Sequence, residues 1–87
     1  MVRLEKRYKH VESYELETVV NVIYDENILS IYTNKPDLER KLNTIIGEPT
    51  KEYRIKRSIS GSRWEIPLQD KSKISKVLLK VDLFECL

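Results

Sequence analysis

The spacing of apolar residues in this chain changes from a period of two to a period near 3.6, and it does so twice. The first alternating segments, Tyr14–Tyr24 and Ile28–Thr33, are typical of strands, and Asp25-Glu26-Asn27 between them favours a turn. The following apolar residues have helical spacing: Leu38, Leu42, Ile45 and Ile46. We therefore predict a β-hairpin followed by a helix over about residues 35–46.

The ends of this helix carry recognisable signals. Thr33 or Asn34 can cap its N-terminus, Pro36 fixes an early φ angle, and Gly47 follows the last apolar residue. Asp37 and Lys41 are spaced for a favourable pair on its surface.

The same pattern returns in the second half. We predict a strand over Thr50–Ile59, with Tyr53, Ile55 and Ile59 on its apolar side, and a turn at Ser60-Gly61-Ser62. A further strand over Arg63–Leu68 places Trp64, Ile66 and Leu68 on one face, and Pro67 indicates that it lies at a sheet edge or ends there. Asp70 then caps a second helix with four apolar positions: Ile74, Val77, Leu78 and Val81.

The order β-β-α-β-β-α predicts one α+β domain over residues 1–87. Aligning Ile31 with Ile66 superimposes the two halves when one residue is inserted before the second helix. Each hairpin has one apolar face and each helix one apolar stripe, so a two-layer sandwich buries them all, with two helices on one side of a four-stranded antiparallel sheet. The open sheet face is expected to carry Glu15, Glu17, Arg54, Lys56 and Arg63. Residues 1–13 fit either a flexible arm or a short helix.

Composition excludes several classes of protein. No segment approaches 18 apolar residues, and the charged first ten residues do not resemble a secretory signal, so we expect a cytoplasmic protein without a membrane span. A single cysteine, Cys86, cannot form an internal disulfide, and with the single histidine, His10, it cannot complete a four-ligand zinc site. We predict no metal and no cofactor.

The sequence also lacks the residue patterns that enzyme catalysis usually requires. His10 is the only histidine base, and it lies in the least periodic segment. Ser60-Gly61-Ser62 joins two predicted strands and is not followed by the Lys-Thr or Lys-Ser of a phosphate-binding loop. Cys86 is interpreted as a small apolar residue. We therefore expect a non-catalytic binding protein.

Charge is sorted along the chain, although the net charge is only +2. Residues 11–34 hold five acids and no Lys or Arg, whereas residues 48–63 hold five bases and two acids. Residues 70–80 hold four bases and one acid. Such sorting favours a charged partner, or alternatively solvated faces that neutralise one another.

The basic residues point to a nucleic acid or nucleoprotein partner. A basic β-ribbon and a lysine stripe on a helix can both contact phosphates, and charged residues kept for solubility are the alternative for the helix and for the hairpin. Trp64 is interpreted as a core residue and not as a stacking platform, because it shares its face with Ile66 and Leu68. The candidate binding residues are Lys51, Arg54, Lys56, Arg57, Arg63, Lys73, Lys76 and Lys80.

Two other functions fit the sequence. A protein-directed inhibitor of a host nucleic-acid or defence enzyme could present an acidic surface made of Glu12, Glu15, Glu17, Asp25 and Glu26. A homodimeric structural module could pair through the open sheet face or through an edge strand.

The segments Thr18–Val22, Ile31–Asn34 and Ser60–Pro67, with a Lys-containing helix after each hairpin, carry a resemblance. Over about residues 16–80 the chain resembles small uncharacterised proteins of phages and mobile elements of Gram-positive bacteria. This resemblance implies a viral or mobile-element protein that acts by binding, such as a regulator of a nucleic-acid machine or an inhibitor similar to the anti-CRISPR proteins.

Overall fold

A computed structural model describes residues 8, 9, 12 and 15–83 of the chain. His10, Tyr14, Cys86 and most of the predicted N-terminal arm lie outside the described residues. The elements follow the predicted order and confirm the α+β class: β1 (Thr18–Ile23), β2 (Ile28–Thr33), α1 (Pro36–Ile45), β3 (Lys51–Ile55), β4 (Ser58–Pro67) and α2 (Lys71–Lys80).

The four strands form one antiparallel sheet in the order β1-β2-β4-β3. β2 and β4 therefore occupy the centre, and β1 and β3 are the two edges. Pro67 ends its strand, which is one of the two outcomes predicted for it. The other outcome, an edge position, is wrong because β4 is a central strand. Beyond the end of β2, Tyr8 bridges to Ile59 of β4, and the Lys9 N–H donates to the Ile59 carbonyl at 2.8 Å.

Both helices cover the same face of the sheet. Trp64 lies at the centre of this core, and its indole N–H donates to the Gly47 carbonyl just after α1, at 2.9 Å. The core confirms that Trp64 is a packing residue. The buried apolar residues from sheet and helices are Leu29, Ile31, Leu38, Leu42, Trp64, Ile66, Val77 and Val81.

The helix ends agree only in part with the sequence. Asp70 caps α2 as predicted, accepting from the Lys73 N–H at 3.2 Å. Lys35 occupies the N-cap position of α1 without a capping side chain. The Asn34 side chain instead holds the segment before β1, accepting from the Glu17 N–H at 2.6 Å and donating to the Glu15 carbonyl at 2.9 Å.

Part of the predicted apolar stripe of α2 faces solvent. Val77 and Val81 are buried, Ile74 is half-buried, and Leu78 is 67% exposed. The helix therefore contacts the core along a narrower line than four apolar positions suggest, centred on Val77.

The helices and the central strands of the two β-β-α units fit an approximate twofold relation, whereas the edge strands β1 (Thr18–Ile23) and β3 (Lys51–Ile55) begin 33 positions apart. α2 begins and ends 35 positions after α1, at 71 and 80 against 36 and 45. A shift of 35 positions also relates Leu29 to Trp64 and Ile31 to Ile66, so it exchanges the cross-strand pair Leu29–Ile66 with the pair Ile31–Trp64. The axis of this relation passes between Ser30 and Glu65, which lie opposite each other midway between the two pairs. No inserted residue is needed, which corrects the alignment predicted from the sequence.

The second hairpin turns earlier than predicted. Lys56 and Arg57 form the turn, with Lys56 at a φ of 56°. Ser60-Gly61-Ser62 lies inside β4, where the pairing shifts and leaves Ser60 as an extra residue whose hydroxyl donates to the Tyr53 carbonyl at 3.0 Å. Gly61 is needed for space, because a Cβ atom there would come within 2.6 Å of the Tyr32 hydroxyl.

Replacing Gly61 with alanine is expected to push the Tyr32 ring out of place and to lower the free energy of unfolding by about 1 kcal/mol. Urea denaturation measures the change. In a Tyr32→Ala background the added methyl group has room, so the same substitution should cost almost nothing. Equal costs in both backgrounds would show that the Tyr32 contact is not the reason for glycine.

Across the described part of the chain, no helix is long and apolar enough to cross a membrane.

Candidate nucleic-acid interface

The sheet face that the helices leave open is defined by the register of the strands. Because side chains alternate between faces, the residues out of phase with Ile31 and Trp64 point away from the helices. On the β3–β4 side they are Lys51, Tyr53, Ile55, Gly61, Arg63, Glu65 and Pro67, and on the β1–β2 side they are Val19, Asn21, Ile23, Ile28, Ser30 and Tyr32.

Two positively charged side chains lie opposite each other on this face. Lys51 lies directly opposite Arg63 across the β3–β4 pair, and Tyr32 lies opposite Arg63 on its other side. The Arg63 Nε atom is buried and has no hydrogen-bond partner among the described residues. A buried donor without an acceptor is costly, so this arginine lowers the stability of the sheet at this point.

Two aromatic rings lie beside these cations. The rings of Tyr32 and Tyr53 are 5.7 Å apart between centroids and meet edge to face at 71°. The Lys51 ammonium lies 5.1 Å from the centre of the Tyr53 ring. We call Tyr32, Lys51, Tyr53 and Arg63 the aromatic-basic patch.

The environment of Tyr32 changes its acidity. Burial raises the pKa of the Tyr32 phenol, and the negative charges of Glu17 and Glu39 and the nearby Tyr53 act in the same direction, while Arg63 opposes them. Tyr32 is therefore neutral at physiological pH and keeps its hydroxyl proton.

This shift predicts a loss of stability at high pH. Because the pKa is higher in the folded protein, the unfolded chain loses the proton first, so the contribution of Tyr32 is complete below about pH 10 and falls above it. Urea denaturation of the wild type and of Tyr32→Phe between about pH 9 and pH 11 should show a steeper decline for the wild type. Parallel declines would contradict the assigned burial effect.

The hairpin turn extends the basic surface. Lys56 and Arg57 are both exposed at the tip, about 15 Å along the strand from Lys51. The tip and the aromatic-basic patch together place four predicted cations, Lys51, Lys56, Arg57 and Arg63, along one half of the sheet.

The other four predicted cations lie elsewhere. Arg54 pairs with Glu52 at 3.2 Å, and Glu52 lies opposite Ser62 on the helix side of the sheet. Arg54 therefore lies on the helix side, and the prediction that it lies beside Arg63 on the open face is wrong. Lys56 lies in the turn and not on that face. Lys73, Lys76 and Lys80 are exposed on α2, in the opposite layer. The eight candidates do not form one surface.

The predicted acidic residues are exposed but also separated. The strand predicted over Tyr14–Tyr24 begins only at Thr18, so Glu15, in a short turn, and Glu17 both precede β1, and their predicted place on the open sheet face is wrong. Asp25 and Glu26 lie in the turn at its other end, about 20 Å away along a six-residue strand. Glu12 is exposed as well. The acids therefore flank β1 at both ends.

Sequence reasoning missed Tyr53 as a surface residue. It was assigned to the apolar side of its strand with Ile55 and Ile59, whereas the structure places it opposite Gly61 on the open face. Gly61 was the available signal, because a glycine inside a strand often marks a bulge or a close contact.

No protein family, curated protein or solved structure matches this chain.

Proposed function

We propose that this chain is a non-catalytic protein that binds single-stranded nucleic acid with the β3–β4 half of its open sheet face. The observation that carries the proposal is the pairing of Lys51 with Arg63 beside the Tyr32–Tyr53 ring pair. Cations supply attraction to phosphates, and aromatic side chains supply faces for unstacked bases.

The aromatic rings favour a single strand over a duplex. Bases in a duplex are stacked on each other and do not reach a side-chain ring, whereas an open strand can place a base against Tyr53. One such contact contributes about 1–3 kcal/mol and tolerates any base sequence. We therefore expect weak sequence preference.

The hairpin tip extends the path of the bound strand. Lys56 and Arg57 are exposed and continue the line of positive charge beyond Tyr53. The lysines of α2 lie in the other layer, so one strand following the sheet face does not reach them. Their stripe is assigned to solubility in this proposal.

The test compares two charge reversals of equal size. Lys51→Glu with Arg63→Glu removes both cations of the aromatic-basic patch, and Lys73→Glu with Lys76→Glu changes the net charge by the same amount on α2. At low salt, fluorescence anisotropy with a labelled single-stranded oligonucleotide should show about 30- to 100-fold weaker binding for the first pair. The α2 pair should change binding by less than about threefold.

A second variant tests the aromatic part. Tyr53→Leu keeps an apolar side chain and removes the ring, so binding of the single strand should weaken by about fivefold or more. Binding to a duplex should not change. Equal losses from both charge-reversal pairs would indicate binding to overall charge and not to the sheet face.

A further inference from the structure

The two edges of the sheet differ in a way that suits contact between copies of this chain. β1 contains no charged residue and no proline, and Val20 and Val22 remain 45% and 48% exposed although they lie on the side of the sheet that the helices cover. Edge strands that stay unpaired usually carry lysine, proline or a bulge. β1 carries none of these features, whereas β3 carries the cations Lys51 and Arg54, so the two edges are not equivalent.

Charge decides which edge β1 can pair with. If β1 paired with β1 of a second copy, antiparallel with the same sheet face up, Glu17 would meet Asp25 or its neighbours at both ends of the contact. Like charges opposite each other destabilise a strand pair. The acids that flank β1 therefore oppose this symmetric contact.

Pairing of β1 with β3 of another copy brings opposite charges together. β1 and β3 run antiparallel to each other within the sheet, so a second copy placed alongside by translation continues the antiparallel pattern. With matching faces, Glu17 of one copy can lie opposite Arg57 of the next, and Val19 then meets Ile55, which is 50% exposed.

The same alignment covers the exposed valines. On the helix side Val20 meets Arg54 and Val22 meets Glu52, two side chains already held together at 3.2 Å. Their aliphatic stems can shield the valines while the charged ends stay in water.

We propose that copies of this chain associate head to tail, with β1 of one copy adding to β3 of the next to form a continuous sheet. Such a contact uses two different surfaces, so it does not close at a dimer but forms a series of sizes. It leaves the aromatic-basic patch open on every copy. It requires no nucleic acid, and the test is made without any.

Charge exchange between copies tests the contact. Glu17→Arg places two cations opposite each other, and Arg57→Glu places two acids opposite each other, so each variant alone should associate about tenfold more weakly than the wild type. In an equimolar mixture contacts that join opposite charges become possible again, so association should recover. Analytical ultracentrifugation over a concentration series measures this, and both sites are exposed, so circular dichroism should show unchanged folds.

The outcomes separate the alternatives. Recovery in the mixture supports the head-to-tail contact. Stronger association of Glu17→Arg alone, with no effect of Arg57→Glu, would instead indicate symmetric β1–β1 pairing and overturn the proposal. A wild-type protein that stays monomeric at its highest soluble concentration overturns it as well. Arg57 belongs to both proposed surfaces, whereas Lys51→Glu with Arg63→Glu tests oligonucleotide binding without changing Glu17 or Arg57.

Discussion

Trp64→Ala is expected to lower the free energy of unfolding by about 3–5 kcal/mol, the largest effect of any single substitution considered for this protein. Trp64 is 2% exposed, and from the central strand β4 it belongs to the buried cluster that joins the sheet to both helices. A domain of 87 residues has a small core, and its total stability is expected near the lower end of the usual range of about 5–15 kcal/mol. Urea denaturation should therefore show a protein that is largely unfolded or close to it.

Two controls separate packing from other causes. Trp64→Phe keeps an aromatic ring but loses the indole hydrogen bond to the Gly47 carbonyl, so it should cost about 1–2 kcal/mol. Tyr24→Ala removes a large ring that is 80% exposed, and its effect should lie within about 0.5 kcal/mol of zero. A small effect of Trp64→Ala would show that the core is not centred on this residue.

The salt dependence of oligonucleotide binding is expected to report four phosphate contacts. Lys51, Lys56, Arg57 and Arg63 acting on a single strand give a slope near about −2.8 for log affinity against log salt. Affinity should then fall by about 50-fold between about 50 and 200 mM salt. Fluorescence anisotropy at several salt concentrations measures the slope.

The same measurement distinguishes the sheet face from all eight candidate cations. If the α2 lysines and Arg54 also contacted phosphates, the fall over this range would be about 2,000-fold. A fall of that size would mean that both layers engage the nucleic acid. A fall of only a few-fold would show that these cations do not contact phosphates.

The fold could be predicted from local spacing because each element has its own period. β2 begins and ends at the predicted residues, and α1 differs from the prediction by one residue at each end. Asp70 was recognised as a cap because an aspartate before a helix accepts from its first N–H groups. The order of strands was not predicted, since it depends on pairing between residues far apart in the chain.

The candidate site was predicted less well, and the reason lies in the turn and the bulge of the second hairpin. Ser60-Gly61-Ser62 has the residues that turns prefer, whereas Lys56-Arg57 does not, yet the chain turns at Lys56. The extra residue Ser60 in β4 then shifts the pairing, so that Tyr53 lies opposite Gly61 and the face of each β3 side chain before it is reversed. The alternation alone therefore predicts Arg54 on the open face and Tyr53, which belongs to the aromatic-basic patch, in the core.

The proposed binding surface is tested most directly by an NMR titration of the ¹⁵N-labelled protein with a single-stranded oligonucleotide. We expect chemical-shift changes concentrated at the hairpin tip and at Tyr32, Lys51, Tyr53 and Arg63, while the signals of Lys73, Lys76 and Lys80 stay unchanged. Shifts confined to α2, or no shifts at oligonucleotide concentrations well above that of the protein, would contradict it.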